Sequence, residues 1–180
     1  NEKFKNFRYL PAYMEEKIWN YAHLNPTLTL VMNGKTYASP NGLMDLLQKR
    51  VDDSIRYDII HFKGKDIEAA FTHGSQYGEH YYSFVNSQHT TQGGTHLAAF
   101  REGVVKGVRE HFKKEFDSHD VRNCIIGAIA VRIQEPVFES QTKTKLGNSE
   151  ARTLVENALN DKLAAYLEEN PKIAKIVIEK

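Results

Sequence analysis

Residues 79–116 read "EHYYSFVNSQHTTQGGTHLAAFREGVVKGVREHFKKEF", and the change of hydrophobic period inside them decides the fold. As far as Thr90 the stretch is rich in aromatic residues, which suit a pleated, half-buried surface, and it reads as a strand. From Thr95 onward Leu97, Phe100, Val104, Val108, Phe112 and Phe116 recur three or four residues apart, which places them on one face of a long helix. Gly93 and Gly94 separate the two periods and supply a tight turn, with Thr95 expected as the helix cap.

Upstream, "YMEEKIWNYAHLNP" (13–26) carries helix formers and stops at Asn25-Pro26. "TLTLVMNGKTYAS" (27–39) reads as two short strands about Asn33-Gly34, because both positions of a tight hairpin turn need positive φ. "LMDLLQKRV" (43–51) is a short helix with Leu43, Leu46, Leu47 and Val51 on its apolar face, and "YDIIHFKG" (57–64) and "DIEAAFTHG" (66–74) are strands about Gly64-Lys65. Downstream, Asp120 is expected to cap a short turn before the strand "IIGAIAVRI" (125–133). A last helical pattern places Leu154, Val155, Ala158, Leu159, Leu163, Tyr166 and Leu167 on one stripe, and Asn170-Pro171 suits a helix start. The order αββαββ(β)αβα predicts an α+β fold with a mainly antiparallel sheet and helices on one face.

The 180 residues are enough for one domain with a single core, and no internal repeat or linker divides them. With 41% hydrophobic and 26% charged residues the composition is that of a soluble globular protein, and no apolar run approaches the ~20 residues that span a bilayer. The single Cys124, beside Ile125 and Ile126, excludes an internal disulfide and is expected to be buried. A net charge of +1 gives no global field for DNA or anionic lipid, so a nucleic-acid contact needs a local patch. The ends, Asn1 without an initiator methionine and "PKIAKIVIEK" without a helix cap, suggest a piece of something longer.

Four constellations invite chemistry. The eight histidines, His73, His80, His89 and His96 among them, show no short metal-ligand spacing, and neither Ser83 nor Ser87 stands in a nucleophile-elbow sequence. "QGGTH" (92–96) ends at a helix N-terminus that could receive a phosphate, but it lacks the glycine spacing and the lysine of a phosphate loop. Lys106, Arg109, Lys113 and Lys114 form a basic ridge on the polar side of the long helix, a candidate DNA-backbone contact or simply a solvated face. In "ESQTKTKLGN" (139–148) Lys143 and Lys145 alternate with threonines in what reads as an extended loop, and a lysine with a nearby glutamine amide suits phosphoryl oxygens.

"SFVNSQHTTQGGTHLAAFREGV" (83–104) and "PVFESQTKTKLGNSEAR" (136–152), in that order and at that separation, resemble the paired signatures of the B subunits of bacterial type IIA topoisomerases, gyrase and topoisomerase IV. "AHLNPTLTL" and "LEENPKIAKIVIEK" extend the likeness over nearly the whole chain, which resembles the transducer, the second domain of those proteins. Gln92 stands where similar sequences more often carry an acidic residue.

The resemblance implies a ribosomal-protein-like split β-α-β fold with a left-handed crossover. It implies that Gln141 and Lys143, the glutamine and lysine of the QTK motif, reach into the ATP site of a preceding GHKL-type ATPase domain and touch the γ-phosphate. Thr142 and Lys145 receive no such role. The implied cofactors are ATP and Mg2+, with the Mg2+ ligands and the catalytic base outside these residues. The implied partners are the ATPase domain and DNA-cleavage module of the same polypeptide, the topoisomerase A subunit, a second B subunit in an ATP-dependent dimer, and DNA, in the nucleoid of a bacterial cytoplasm. Residues 1–180 would be a single transducer domain, with 149–180 a long C-terminal helix leading towards the cleavage module. The implied function is coupling of ATP binding and hydrolysis to closure of a DNA clamp, set against a free-standing DNA-binding module that uses the basic ridge. Without the ATPase domain the 139–148 loop is expected to be mobile or non-productively held.

Overall fold

A proline opens the first helix, α1 (Pro11–Leu24), at a position whose N–H would have no intrahelical acceptor. The computed structural model describes residues 6–179. Strands β1 (Leu30–Met32) and β2 (Lys35–Tyr37) pair antiparallel, and Asn33 and Gly34 between them take φ of 51° and 78°, the left-handed turn the dipeptide predicts.

Helix α2 (Leu43–Arg50) leads into a five-stranded sheet of β3 (Ile60–Lys63), β4 (Ile67–His73), β5 (His80–Val85), β6 (Gln88–His89) and β7 (Ile125–Val131). Its order is β3-β4-β7-β5-β6, so β7, the last strand in sequence, lies at the centre. Every neighbouring pair is antiparallel except β5 and β7. Between those parallel strands run the long helix α3 (Thr95–Phe112) and the short α4 (Ser118–Arg122). The expected hairpin about Gly64 forms, its N–H donating to the Ile67 carbonyl at 2.8 Å. Residues 79–90, read as one strand, instead fold back at Asn86 and Ser87, whose φ of 47° and 67° start the return strand β6.

Alternation along the central strands builds two cores. Ile67, Ala69 and Phe71 of β4, with Ile125, Ile129 and Val131 of β7, join Phe100, Val104 and Val108 of α3 and the helices α5 (Glu150–Leu159), α6 (Lys162–Glu169) and α7 (Pro171–Glu179). On the opposite face Ala70, Ile126 and Ala128 meet Leu43, Leu46 and Leu47 of α2 and Leu24 of α1. Helices therefore cover both faces, correcting the one-face expectation. The apolar second face of β4 and β7 needs a cover, and each buried leucine of α2 contributes roughly 1.5–3 kcal/mol by leaving water. Glu68 of β4 fixes that cover: its carboxylate accepts from the Leu43 N–H at the start of α2 (3.0 Å) and contacts His61 Nε2 (2.8 Å).

The single long helix expected over 149–180 is three. Asp161 takes φ of 63°, which no helix interior tolerates, and Pro171 removes a donor and bars helical geometry at Asn170. The expected stripe still faces inward, with Val155, Leu159, Leu163 and Leu167 buried. Where α3 crosses α6, Gly107 admits Leu163 so closely that a Cβ would lie 2.6 Å from a leucine methyl. Cys124, expected to be buried, is only half-buried and sits at φ 68°. Asp117, not Asp120, caps α4, accepting from the His119 and Asp120 N–H groups.

Candidate functional site

The segment 137–148 leaves the end of the central strand and lies along the first turn of α3. Its base is held by backbone bonds to the glycine turn: Gln92 N–H donates to Thr144 O (2.9 Å), Leu146 N–H to Gly93 O (3.0 Å) and Thr95 N–H to Leu146 O (3.1 Å). Leu146 is 1% exposed and belongs to the main core. Gly94, with φ of 128°, makes room: a Cβ there would collide with the Leu146 carbonyl oxygen. Buried Asn148 closes the loop, its Nδ2 donating to Glu135 O (3.0 Å) and its Oδ1 accepting from Val137 N–H. Gly147 N–H donates to Val137 O (2.8 Å) and Glu139 N–H to Lys145 O (3.0 Å).

Two expectations change at this point. Thr95 does not cap its helix, because Gly94 holds the cap position; its hydroxyl instead donates to Asn148 O at 2.6 Å. Nor is the loop loosely held, since its base is packed into its own domain. The tip is different. Ser140 to Lys143 form a turn, with Lys143 N–H donating to Ser140 O (3.0 Å) and the Ser140 and Thr142 hydroxyls 2.6 Å apart. Lys143 takes φ of 55°, so the extended alternation with Lys145 does not form, and the two lysines part company. Lys145 pairs with Glu139 at 3.0 Å, whereas among the described residues no carboxylate pairs with Lys143. Gln141, Thr142 and Lys143 are all exposed.

The basic ridge is of mixed sign. Arg109 is drawn back to the chain beyond its helix, donating to Phe116 O (2.6 and 3.1 Å) and pairing with Glu115 at 3.2 Å. Lys106, Arg109, Lys113 and Lys114 line a groove that also holds Glu102, Glu110, Glu115 and Asp161. Helix α3 ends at Phe112 because Lys113 turns left-handed (φ 49°), so Phe116 packs from the following loop.

Beside α3, Glu79 accepts two Arg101 nitrogens (2.9 and 3.0 Å), the Tyr81 hydroxyl (2.6 Å) and Arg122 Nε (3.2 Å). Burial works against its charge, but the Arg101, Tyr81 and Arg122 bonds outweigh burial and hold its pKa at about 2. His96 is fully buried in the second position of α3, its Nε2 3.2 Å from the Thr90 hydroxyl and its Nδ1 without a hydrogen-bond partner among the described residues. Burial drives its pKa down to about 4, so it is neutral. Ser83 is buried and donates to Thr90 O (2.8 Å), so its hydroxyl is not placed to attack a substrate from outside. Among the described residues no three His, Cys, Asp or Glu side chains cluster as metal ligands, and no helix is long and apolar enough to cross a membrane.

The structure thus keeps Gln141 and Lys143 together on one exposed turn and separates them from Lys106, Arg109 and Lys113 at the far end of α3. Sequence reasoning passed over Gln92, Gly94, Thr95 and Asn148 as loop-holding residues. The glycine pair was their one local signal, because the partners of Gln92, Gly94 and Thr95 lie about fifty residues away in the chain, and the Asn148 side chain binds Glu135 and Val137, 13 and 11 residues before it.

Residues 42–180 match the family model for DNA gyrase B. The chain is 38% identical, over its whole length, to the B subunit of DNA topoisomerase 4 from Borreliella burgdorferi, of which it covers 30%. It is 32% identical over 93% of its length to the B subunit of DNA gyrase from Helicobacter pylori, of which it covers 24%. It spans less than a third of these curated relatives. Among solved structures it is similar to the 43K ATPase domain of Thermus thermophilus gyrase B in complex with an aminocoumarin (TM-score 0.84, 27% identity, 99% of this chain and 54% of that chain). It is also similar to the ATPase region of Saccharomyces cerevisiae topoisomerase II (TM-score 0.70, 25% identity, 93% of this chain and 44% of that chain).

Proposed function

We propose that this chain, which belongs to the DNA gyrase B family, serves as the transducer domain of a type IIA topoisomerase B subunit. In this reading it couples ATP binding and hydrolysis in a neighbouring GHKL ATPase domain to closure of a DNA clamp. Lys143 and Gln141 reach across the domain boundary to the γ-phosphate. The observation that carries the reading is the exposed turn bearing Lys143, which no carboxylate among the described residues pairs with, at the tip of a loop whose two ends are firmly held. Charge spreads over the γ-phosphoryl oxygens during transfer, and a cation fixed by its scaffold stabilises that charge without waiting for water to reorganise. A compact ammonium can do this from an exposed tip, with the Gln141 amide as a second donor.

The same contact biases the angle between the two domains, since it exists only while a γ-phosphate is present. The ATPase domain supplies the catalytic base and the Mg2+ ligands. The A subunit, a second B subunit and DNA complete the bacterial cytoplasmic assembly. The reading carries with it the ribosomal-protein-like split β-α-β fold with a left-handed crossover, and the parallel β5–β7 pair joined through α3 supports its β-α-β part. Residues 149–180 lead towards the cleavage module, with three helices over 150–179. A free-standing DNA-binding module has less support, because the ridge shares its groove with four carboxylates.

In the intact B subunit, Lys143→Ala is expected to lower the steady-state ATPase rate at least ~100-fold, the scale of losing one stabiliser of a charged transition state. Near-normal hydrolysis would remove the assignment.

A further inference from the structure

Lys143 can meet a phosphate reproducibly only if something fixes the loop that carries it, and three features converge on the first turn of α3. Four hydrogen bonds cross between residues 92–95 and residues 144–148, three between backbones and one from the Thr95 hydroxyl to Asn148 O at 2.6 Å. A fifth joins side chains, Thr144 Oγ1 donating to Gln92 Oε1 at 3.2 Å. Gly94 leaves out the one atom that would break this contact, since its Cβ would fall within 2.8 Å of three Leu146 backbone atoms. Gly94 and Leu146 form a parallel bridge, an outlying piece of sheet that joins the loop to the helix start. Among the described residues no such bond to residues 92–95 runs from the tip, residues 140–143.

We propose that Gln92, Gly94 and Thr95 are positioning residues for Lys143: they seat its loop on α3, so that the loop and the helix move as one body when the tip engages an anion. The proposal rests on the γ-phosphate reading of Lys143. It alters the route of the signal, which runs first into α3 and thence to α5 and α6 packed along it, and not only into the helix that follows the loop. A displacement of about 1 Å at such a group is enough to cost a large part of a rate, because the contact counts most where charge builds up on the phosphoryl oxygens in the transition state.

The test uses the intact B subunit and ATP. Thr95→Val keeps the shape of the side chain and removes its donor. It is expected to lower kcat roughly 10-fold with the KM for ATP within about twofold, the signature of an interaction that is stronger in the transition state than in the bound ground state. Thr95→Ser, which restores the hydroxyl, should return the wild-type rate. Gly94→Ala is expected to act in the same direction and more strongly; if it fails to fold, Thr95→Val carries the test. Placed in a Lys143→Ala background, Thr95→Val should cause no further loss, because the two residues act through one contact. An undiminished kcat in Thr95→Val beside a crippled Lys143→Ala, or an equal loss in both backgrounds, would overturn the proposal while leaving the γ-phosphate reading intact. A near-normal Lys143→Ala would identify the failure as that of the reading itself.

Discussion

Lys143 and Leu146 lie three residues apart, one exposed on a turn and the other 1% exposed in the core. The first is free to touch something outside the domain because the second is not free to move. Leu146→Ala is expected to cost about 2–4 kcal/mol in urea unfolding, since it removes apolar volume from a site bounded by backbone that cannot collapse inward. Gln141→Ala should stay within about 0.5 kcal/mol of wild type in the same measurement, as an exposed side chain with no fold-holding bond among the described residues. Lys143 was legible in the sequence through its motif. Its conformation was not, because alternating threonines and lysines suggest an extended segment, and only the Ser140–Lys143 bond shows the turn. Leu146 was invisible as an anchor because its partners, Gly93 and Thr95, are distant in the chain.

At the scale of elements, α3 joins the site to the rest of the domain. Its period could be read directly, because a helix that buries one face must repeat apolar residues every three or four positions. Its neighbours could not. That α2 covers the second face follows from β7 entering the sheet between β4 and β5, a long-range pairing with no local signature. Contact of α3 with α6 depends on Gly107, which a helix-propensity view would improve by substitution. Gly107→Ala offers about 1 kcal/mol of propensity but drives a methyl to 2.6 Å from Leu163, and the expected net effect is a loss of about 1–3 kcal/mol in thermal or urea unfolding. A gain in stability would show that the two helices separate more easily than their packing indicates.

For the whole molecule, stability should depend on pH through buried neutral histidines. His96 is held at a pKa of about 4 by burial, and His23 also at about 4 by burial and the Lys49 charge, against an ordinary value of 6.5. The unfolded chain takes up these protons first, so stability is full above pH 6.5 and falls as pH drops towards 4, by up to about 3 kcal/mol per histidine. Below that, Glu79 adds a further fall from its ordinary 4.5 towards 2, as its ion pairs with Arg101 and Arg122 are lost. Unfolding free energies that stay level between pH 7 and pH 4 would contradict the burial of the two histidines. The central claim, that the 140–144 turn engages a γ-phosphate, is tested most directly by amide hydrogen exchange in the intact B subunit with a non-hydrolysable ATP analogue and with ADP. The account predicts that exchange in residues 140–144 slows by at least ~10-fold with the analogue and not with ADP, because only the analogue offers the third phosphate. Equal exchange with both nucleotides would contradict it.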